Sequence, residues 1–191
     1  MTRLDKNYAI FIIGLPGTGK STLAKMLSDK LMCFYCASDV IHSELFGEAE
    51  IYRDRDYSSN ELAIIYRGIN YVVKIQCQNR KNMIIEGVFR SSKMRNEVLA
   101  TLAQANYHVI RLYLLCQDDI AVKRVSDRKL KGTASPAGTD GYWRIKATFV
   151  PPDEKDGYDI IDGSSNFEYK VKEIVKSLEV YSKSETQAQS N

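Results

Sequence analysis

The sequence predicts an α/β protein, a three-layer α/β/α sandwich around a five-stranded parallel sheet, and three observations carry that prediction. Short apolar runs of strand length alternate with longer stretches of helical period, the rhythm of repeated β-α-β units. The first apolar run ends in a glycine-rich turn, Gly14-Leu15-Pro16-Gly17-Thr18-Gly19, which opens directly into a helical stretch. At 191 residues the chain suits a single domain with a full core.

Five strands are predicted at Tyr8–Ile13, Phe34–Ala37, Asn82–Glu86, Tyr107–Leu115 and Tyr158–Ile161, each rich in strand-forming residues and mostly bounded by Gly, Asn, Asp or Ser. Helices are predicted at Lys20–Leu31, Val40–Phe46, Ser59–Asn79, Ser91–Ala105, Asp118–Leu130, Tyr142–Phe149 and Phe167–Ser182. In the longest, Leu62, Ile65, Ile69, Val72, Val73 and Ile75 recur at helical spacing, so one stripe faces the core. Two segments break the rhythm. Gly47–Ser58 carries Arg53, Asp54, Arg55 and Asp56, and Lys131–Gly141 is loaded with Gly, Thr, Ser and Pro. Both read as surface connections or lids, and 131–141 is expected to be the mobile lid of one domain spanning 1–182. Residues 183–191 are polar and expected to form a flexible, frayed tail.

Hydrophobic residues at 44% and charged residues at 27% are ordinary globular values, which argues against disorder and against a membrane protein. A net charge of +3 allows a local phosphate patch but is too mild to argue for nucleic acid by itself. The apolar run Tyr8–Ile13 is too short to span a bilayer and lacks a small-residue cleavage site, so a cytoplasmic protein is expected. Cys33, Cys36, Cys77 and Cys116 read as packed free thiols, because the Cys33-x-x-Cys36 pair has no second ligand pair to complete a zinc site. His42 and His108 fall at a helix start and in an apolar strand, and both read as structural.

Gly14 to Ser21 satisfies G-x-x-x-x-G-K-S/T between a strand and a helix, the setting the phosphate-binding P-loop requires. Glycines let successive backbone N–H groups turn inward, and the helix N-terminus adds its positive end at the same place. The expected nucleotide contacts are Gly14, Leu15, Pro16, Gly17, Thr18, Gly19, Lys20, Ser21 and Thr22, with Lys20 on the terminal phosphates and the Ser21 hydroxyl on Mg²⁺.

In a parallel sheet, acids at strand ends emerge beside that loop. Asp39, after the second strand, is the candidate general base and a second candidate near the metal, unless it or Ser38 merely caps the next helix. Glu86 ends the third strand, where a carboxylate can hold Mg²⁺ or one of its waters. Arg90, Lys93 and Arg95 follow near a helix start, and the candidate substrate contacts are Asp39, Arg53, Arg90 and Arg95. Arg124 and Arg128, at i and i+4 before the lid, are candidate catalytic cations alongside Lys20, since phosphoryl transfer is stabilised mostly by charge. The plainer reading of that pair is a solvated basic face.

With those residues in place, the chain resembles the AAA_33-like small P-loop kinases, a group that includes the polynucleotide kinase 5′-kinase domain, gluconate kinase and chloramphenicol phosphotransferase. The resemblance rests on Gly14 to Thr22, Ser38-Asp39, the Tyr57-to-Ala63 segment, Ile84-Ile85-Glu86-Gly87 with Arg95, and Val122-Lys123-Arg124 with Arg128 before Pro136. It implies that Asp39 is the base on an acceptor hydroxyl, Arg128 a lid arginine, and the Gly163-Ser164 turn a neighbour of adenine. The chain departs from many relatives at Glu86-Gly87, where they show Asp-Ala or Asp-Thr, and at Val88, where they show Asn or Thr.

The expected function is ATP- and Mg²⁺-dependent transfer of the γ-phosphoryl group to a small-molecule hydroxyl, with Gly47–Ser58 and Lys131–Gly141 closing over the acceptor. A polynucleotide 5′-hydroxyl is the alternative acceptor, for which Tyr52, Arg53, Arg55 and Tyr57 could supply a short stacking channel. A nucleotide switch or ATPase without an acceptor is the alternative class. A monomer and a homodimer are both compatible with the chain.

Overall fold

The computed structural model describes residues 7–47, 57–130 and 138–186, with backbone alone at 129–130 and 183–186. All five predicted strands form, as β1 (Tyr8–Gly14), β2 (Phe34–Ala37), β3 (Met83–Gly87), β4 (His108–Leu115) and β5 (Asp159–Asp162). They make one parallel sheet in the order β2-β3-β1-β4-β5. The helices are α1 (Lys20–Leu31), α2 (Ser38–Phe46), α3 (Ser59–Gln78), α4 (Ser92–Gln104), α5 (Asp118–Leu130), α6 (Thr139–Thr148) and α7 (Phe167–Thr186), with a 3₁₀ turn at Glu154–Asp156.

Every residue of β1 is buried, because a central parallel strand is covered on both faces. Its side chains alternate between two layers. Ala9, Phe11 and Ile13 pack with Ile69, Val73, Val98 and Leu102 of α3 and α4. Tyr8, Ile10 and Ile12 pack with Leu23 and Leu27 of α1 and with Val171 and Ile174 of α7. The predicted stripe of α3 is buried at Ile65, Ile69 and Val73, and Tyr66 joins it. A reciprocal cap starts that helix: the Ser58 hydroxyl accepts from the Glu61 N–H, and the Glu61 carboxylate accepts from the Ser58 N–H.

The sheet order creates the cleft. The chain leaves β1 for β2 on one side and later places β4 on the other, so connections diverge at the carboxyl end of β1, where ligands bind in open α/β sheets. Register then aligns the chemistry: Ala37 pairs with Glu86, and Glu86 pairs with Ile12, so the ends of β2, β3 and β1 form one row.

Three boundaries differ from the sequence reading by more than one residue. Helix α2 begins at Ser38 with Ala37 as its N-cap and no side-chain cap, so neither Ser38 nor Asp39 is spent on capping. Helix α6 begins at Thr139, inside the predicted lid, because Tyr142 and Ile145 are buried and Asp140 sits in the first turn, where the helix dipole favours an acid. The rest of that lid, 131–137, lies outside the described residues, as does most of Gly47–Ser58. Helix α7 continues to Thr186 rather than ending at Ser182, since extending an existing helix needs no new nucleus. The four cysteines are free, as expected. Among the described residues no helix is long and apolar enough to cross a membrane.

Candidate active site

Two glycines let the loop after β1 close on itself. Gly17 has φ of 78° and approaches α5 so closely that an added Cβ would lie 2.3 Å from the Ala121 carbonyl oxygen. Gly19, with φ of 94°, is the N-cap of α1, and no side chain caps that helix, which leaves its first N–H groups for an anion. Thr18 Oγ1 and Lys20 Nζ both donate to the Leu15 carbonyl at 2.9 Å, so the lysine folds back across its own loop. Burial lowers the Lys20 pKa, and the carboxylates of Glu86 and Asp39 oppose that shift.

A cleft opens beside the loop. Pro16, Gly17, Lys20, Ser21 and Arg128 line it together with Asp39 and Glu86. Burial pushes the Asp39 carboxyl up to about 6, and Glu86 adds to that push, while Lys20, Arg128 and the Ser38 hydroxyl pull it down. Glu86 is buried and accepts a 2.6 Å hydrogen bond from the Tyr35 hydroxyl. Burial, followed by the Glu86 charge, raises the Tyr35 pKa, and the Ser21 hydroxyl sits beside it. Tyr35 escaped the sequence reading because a tyrosine inside a short strand looks like core.

Residues 10–152 match the family described as AAA domain. The chain belongs to that family. No curated protein sequence matches it. The fold is similar to that of a sugar kinase from Janibacter sp. HTCC2649, with a TM-score of 0.71, 15% identity and coverage of 91% of this chain and 95% of that one. A gluconokinase from Sinorhizobium meliloti 1021 matches over 100% of both chains with a TM-score of 0.69 and 14% identity. The Mycobacterium tuberculosis APS kinase CysC, solved with AMPPNP and APS, matches with a TM-score of 0.67 and 16% identity over 91% of this chain and 98% of that one. At such identities the likeness concerns the fold alone, a three-layer α/β/α sandwich around a parallel sheet.

The basic residues of this AAA domain protein divide by role. Arg128 lines the cleft, and its charge reaches both Lys20 and Asp39. Arg124, its partner at i−4, does not line the cleft. Its Nη1 donates to the Gly163 carbonyl at 2.7 Å and the Gly17 carbonyl at 3.2 Å, and lies 3.9 Å from Cys116 Sγ. It thus ties the phosphate loop to the turn after β5. That turn packs tightly: a Cβ on Gly163 would sit 2.1 Å from the Thr18 carbonyl oxygen.

Arg95 corrects the sequence reading. Expected as a substrate contact, it is only 1% exposed and spends its guanidinium on backbone. Nη1 donates to the carbonyls of Phe89 at 3.0 Å and Val150 at 2.8 Å, and Nη2 to that of Pro151 at 3.5 Å. A forked cation with five donors can satisfy several carbonyls at once, and here it anchors α4 to the segment after α6. Arg90 does line the cleft. Just before Arg90, Phe89 takes a left-handed backbone at φ of 47°, with its ring 4.6 Å from Phe11 and 5.0 Å from Tyr66. Its N–H donates to the Tyr66 hydroxyl at 3.0 Å. This held turn presents Val88 and Arg90 to the cleft. Arg53 lies outside the described residues.

Both histidines pack against aromatic rings. His42 is buried with ring centroids 5.2 Å from Phe46 and 4.6 Å from Tyr57, and His108 stacks on Tyr181 at 4.0 Å.

The residues fit a magnesium nucleotide. The first N–H groups of α1 carry no side-chain cap, and Ser21, Glu86 and Tyr35 gather hard oxygen atoms at one edge. Among the described residues no group of three His, Cys, Asp or Glu could hold a metal alone. Such a donor set suits Mg²⁺, which keeps waters and phosphate oxygens among its ligands.

Proposed function

We propose that the chain is an ATP-dependent phosphotransferase that moves the γ-phosphoryl group to a hydroxyl of a small molecule, with Asp39 as general base. The observation that carries the reading is the placement of Asp39: a carboxyl titrating near 6 in the same cleft as Lys20, Ser21 and Arg128. A base works best when its pKa lies near the working pH, and burial supplies that shift here.

Lys20 and the loop N–H groups hold the polyphosphate, and Arg128 adds positive charge on the transferred group. Mg²⁺, held by Ser21 and by Glu86 directly or through water, would supply further charge neutralisation at the phosphates. Asp39 Oδ takes the proton of the acceptor hydroxyl as its oxygen forms a bond to the γ-phosphorus. The bond from that phosphorus to the bridging oxygen breaks, and ADP departs with those electrons. Tyr35 holds Glu86 through its hydroxyl and so fixes the acid on the metal side of the cleft.

ATP turnover measured with and without a panel of sugars, nucleosides, hydroxy acids and oligonucleotides tests this. A phosphotransferase stays slow until one acceptor is present and then yields its phosphorylated form. Equal hydrolysis without any acceptor would make the chain an ATPase or switch and end the proposal.

A further inference from the structure

The acceptor side of the cleft has a composition of its own, and its role as an acceptor site rests on the phosphotransfer reading. Helix α3 contributes Leu62 and Ile65, the turn after β3 contributes Val88, and α6 contributes Ile145. The neighbouring surface includes the Tyr57 ring, backed by the buried His42 at a ring-centroid distance of 4.6 Å. The Tyr66 hydroxyl, also at the cleft, already accepts the Phe89 N–H. Among the described residues one cation stands on this side, Arg90, and its guanidinium makes no hydrogen bond or ion pair with them. Its backbone is fixed, since its carbonyl accepts the Val150 N–H at 2.8 Å beside the Arg95 anchor.

These observations exclude one kind of guest and favour another. A polyol laid against Leu62, Ile65, Val88 and Ile145 would bury hydroxyls without partners, at about 1–3 kcal/mol each. A flat or aliphatic body gains there instead, and the Tyr57 ring suits an aromatic face. A guanidinium without a partner among the described residues, on a largely apolar wall, calls for an anion, carboxylate above all, which it can grip with two parallel bonds.

We infer that the acceptor is an anionic alcohol with an apolar or aromatic body, its hydroxyl toward Asp39 and its anionic group on Arg90, and that it is not a polyhydroxylated sugar or sugar acid. Arg90 is then the specificity-determining residue, and the turn locked by Arg95 and Tyr66 is what positions it.

Binding separates this from the chemistry. Dissociation constants for 4-(hydroxymethyl)benzoate, benzyl alcohol and gluconate are measured by ligand-observed NMR on the full chain with AMPPNP and Mg²⁺. The benzoate should bind about 10-fold or more tighter than benzyl alcohol, the worth of one charge-assisted pair, and about 10-fold tighter than gluconate. Arg90→Gln should erase the first difference and keep the preference for benzyl alcohol over gluconate. Leu62→Asn should narrow the second difference. Gluconate binding as tightly as the benzoate, a benzoate-to-benzyl-alcohol ratio unchanged in Arg90→Gln, or no retention of the benzoate overturns the inference. The wild-type ranking needs no variant to fold. AMPPNP retention is read in the same samples, so failure to hold nucleotide sinks the phosphotransfer reading separately from the ranking of acceptors.

Discussion

Between Gly14 and Ser21 eight consecutive residues supply an anion site, whereas the opposite wall of the same cleft draws Leu62, Val88, Arg90 and Ile145 from three separate elements. The first region is built largely from backbone: N–H groups, left-handed glycines and a helix start, with one lysine added. The second is built from side chains that only the fold brings together. Backbone sites recognise what is common to all nucleotides, their phosphates. Side-chain walls recognise what differs between acceptors. The two carboxylates, Asp39 and Glu86, stand at the seam beside Lys20, and desolvation with the Glu86 charge raises the Asp39 carboxyl.

The sharpest way to break the loop side is Lys20→Met. It removes the cation of the backbone cradle while keeping length and burial, and transfer should fall about 100- to 1000-fold in kcat with the fold intact by circular dichroism. A drop below 10-fold would mean that the loop binds without its lysine. On the wall side, Arg95→Met leaves the carbonyls of Phe89, Val150 and Pro151 short of a buried donor. Urea unfolding should show a loss of about 3 kcal/mol, with KM for the acceptor rising as the Arg90 turn loosens. Unchanged stability would contradict the anchor.

At the seam, Asp39 makes a prediction about stability whose sign is fixed by its shift. Its folded pKa is raised from 3.8 to about 6, so ionisation favours the unfolded chain. The cost is absent below about pH 4, grows as pH rises toward 6 and is full above it. Asp39→Asn should therefore be more stable than the wild type at pH 8 and nearly equal to it at pH 4, by a margin that solvent screening at this partly open position keeps below the full value of the shift, read by thermal melts. A less stable variant at pH 8 would contradict the burial argument. The smallest effect is expected from Tyr35→Phe, which deprives Glu86 of one hydrogen bond. The Mg²⁺ concentration for half-maximal turnover should move by about 5-fold, the worth of roughly 1 kcal/mol.

The strands were legible because a sheet buried on both faces needs unbroken apolar runs, and β1 is the extreme case. The loop was legible because its residues are contiguous. Asp39 and Glu86 could be placed from strand ends alone, since parallel strands deliver their carboxyl ends to one edge. Arg95 was misread because a sequence displays a charge but not the carbonyls that will satisfy it, and those come from residues 89, 150 and 151. Arg124 and Arg128 share a helix face but not a task, since one is tied to Gly17 and Gly163 while the other meets the cleft. Tyr35 gave no signal in sequence, because its function depends on a carboxylate 51 positions away. The start of α6 was placed late because burial of Tyr142 decides it, and a glycine-rich segment hides that.

The most direct test of the account is transfer of labelled γ-phosphate by Asp39→Asn beside the wild type, with ATP affinity measured in parallel. Wild-type kcat/KM should rise with pH through an inflection near 6, where the carboxyl becomes a base. The variant should lose about 100- to 10,000-fold in transfer while its ATP dissociation constant stays within about 3-fold. Undiminished transfer by Asp39→Asn would contradict a base at this position.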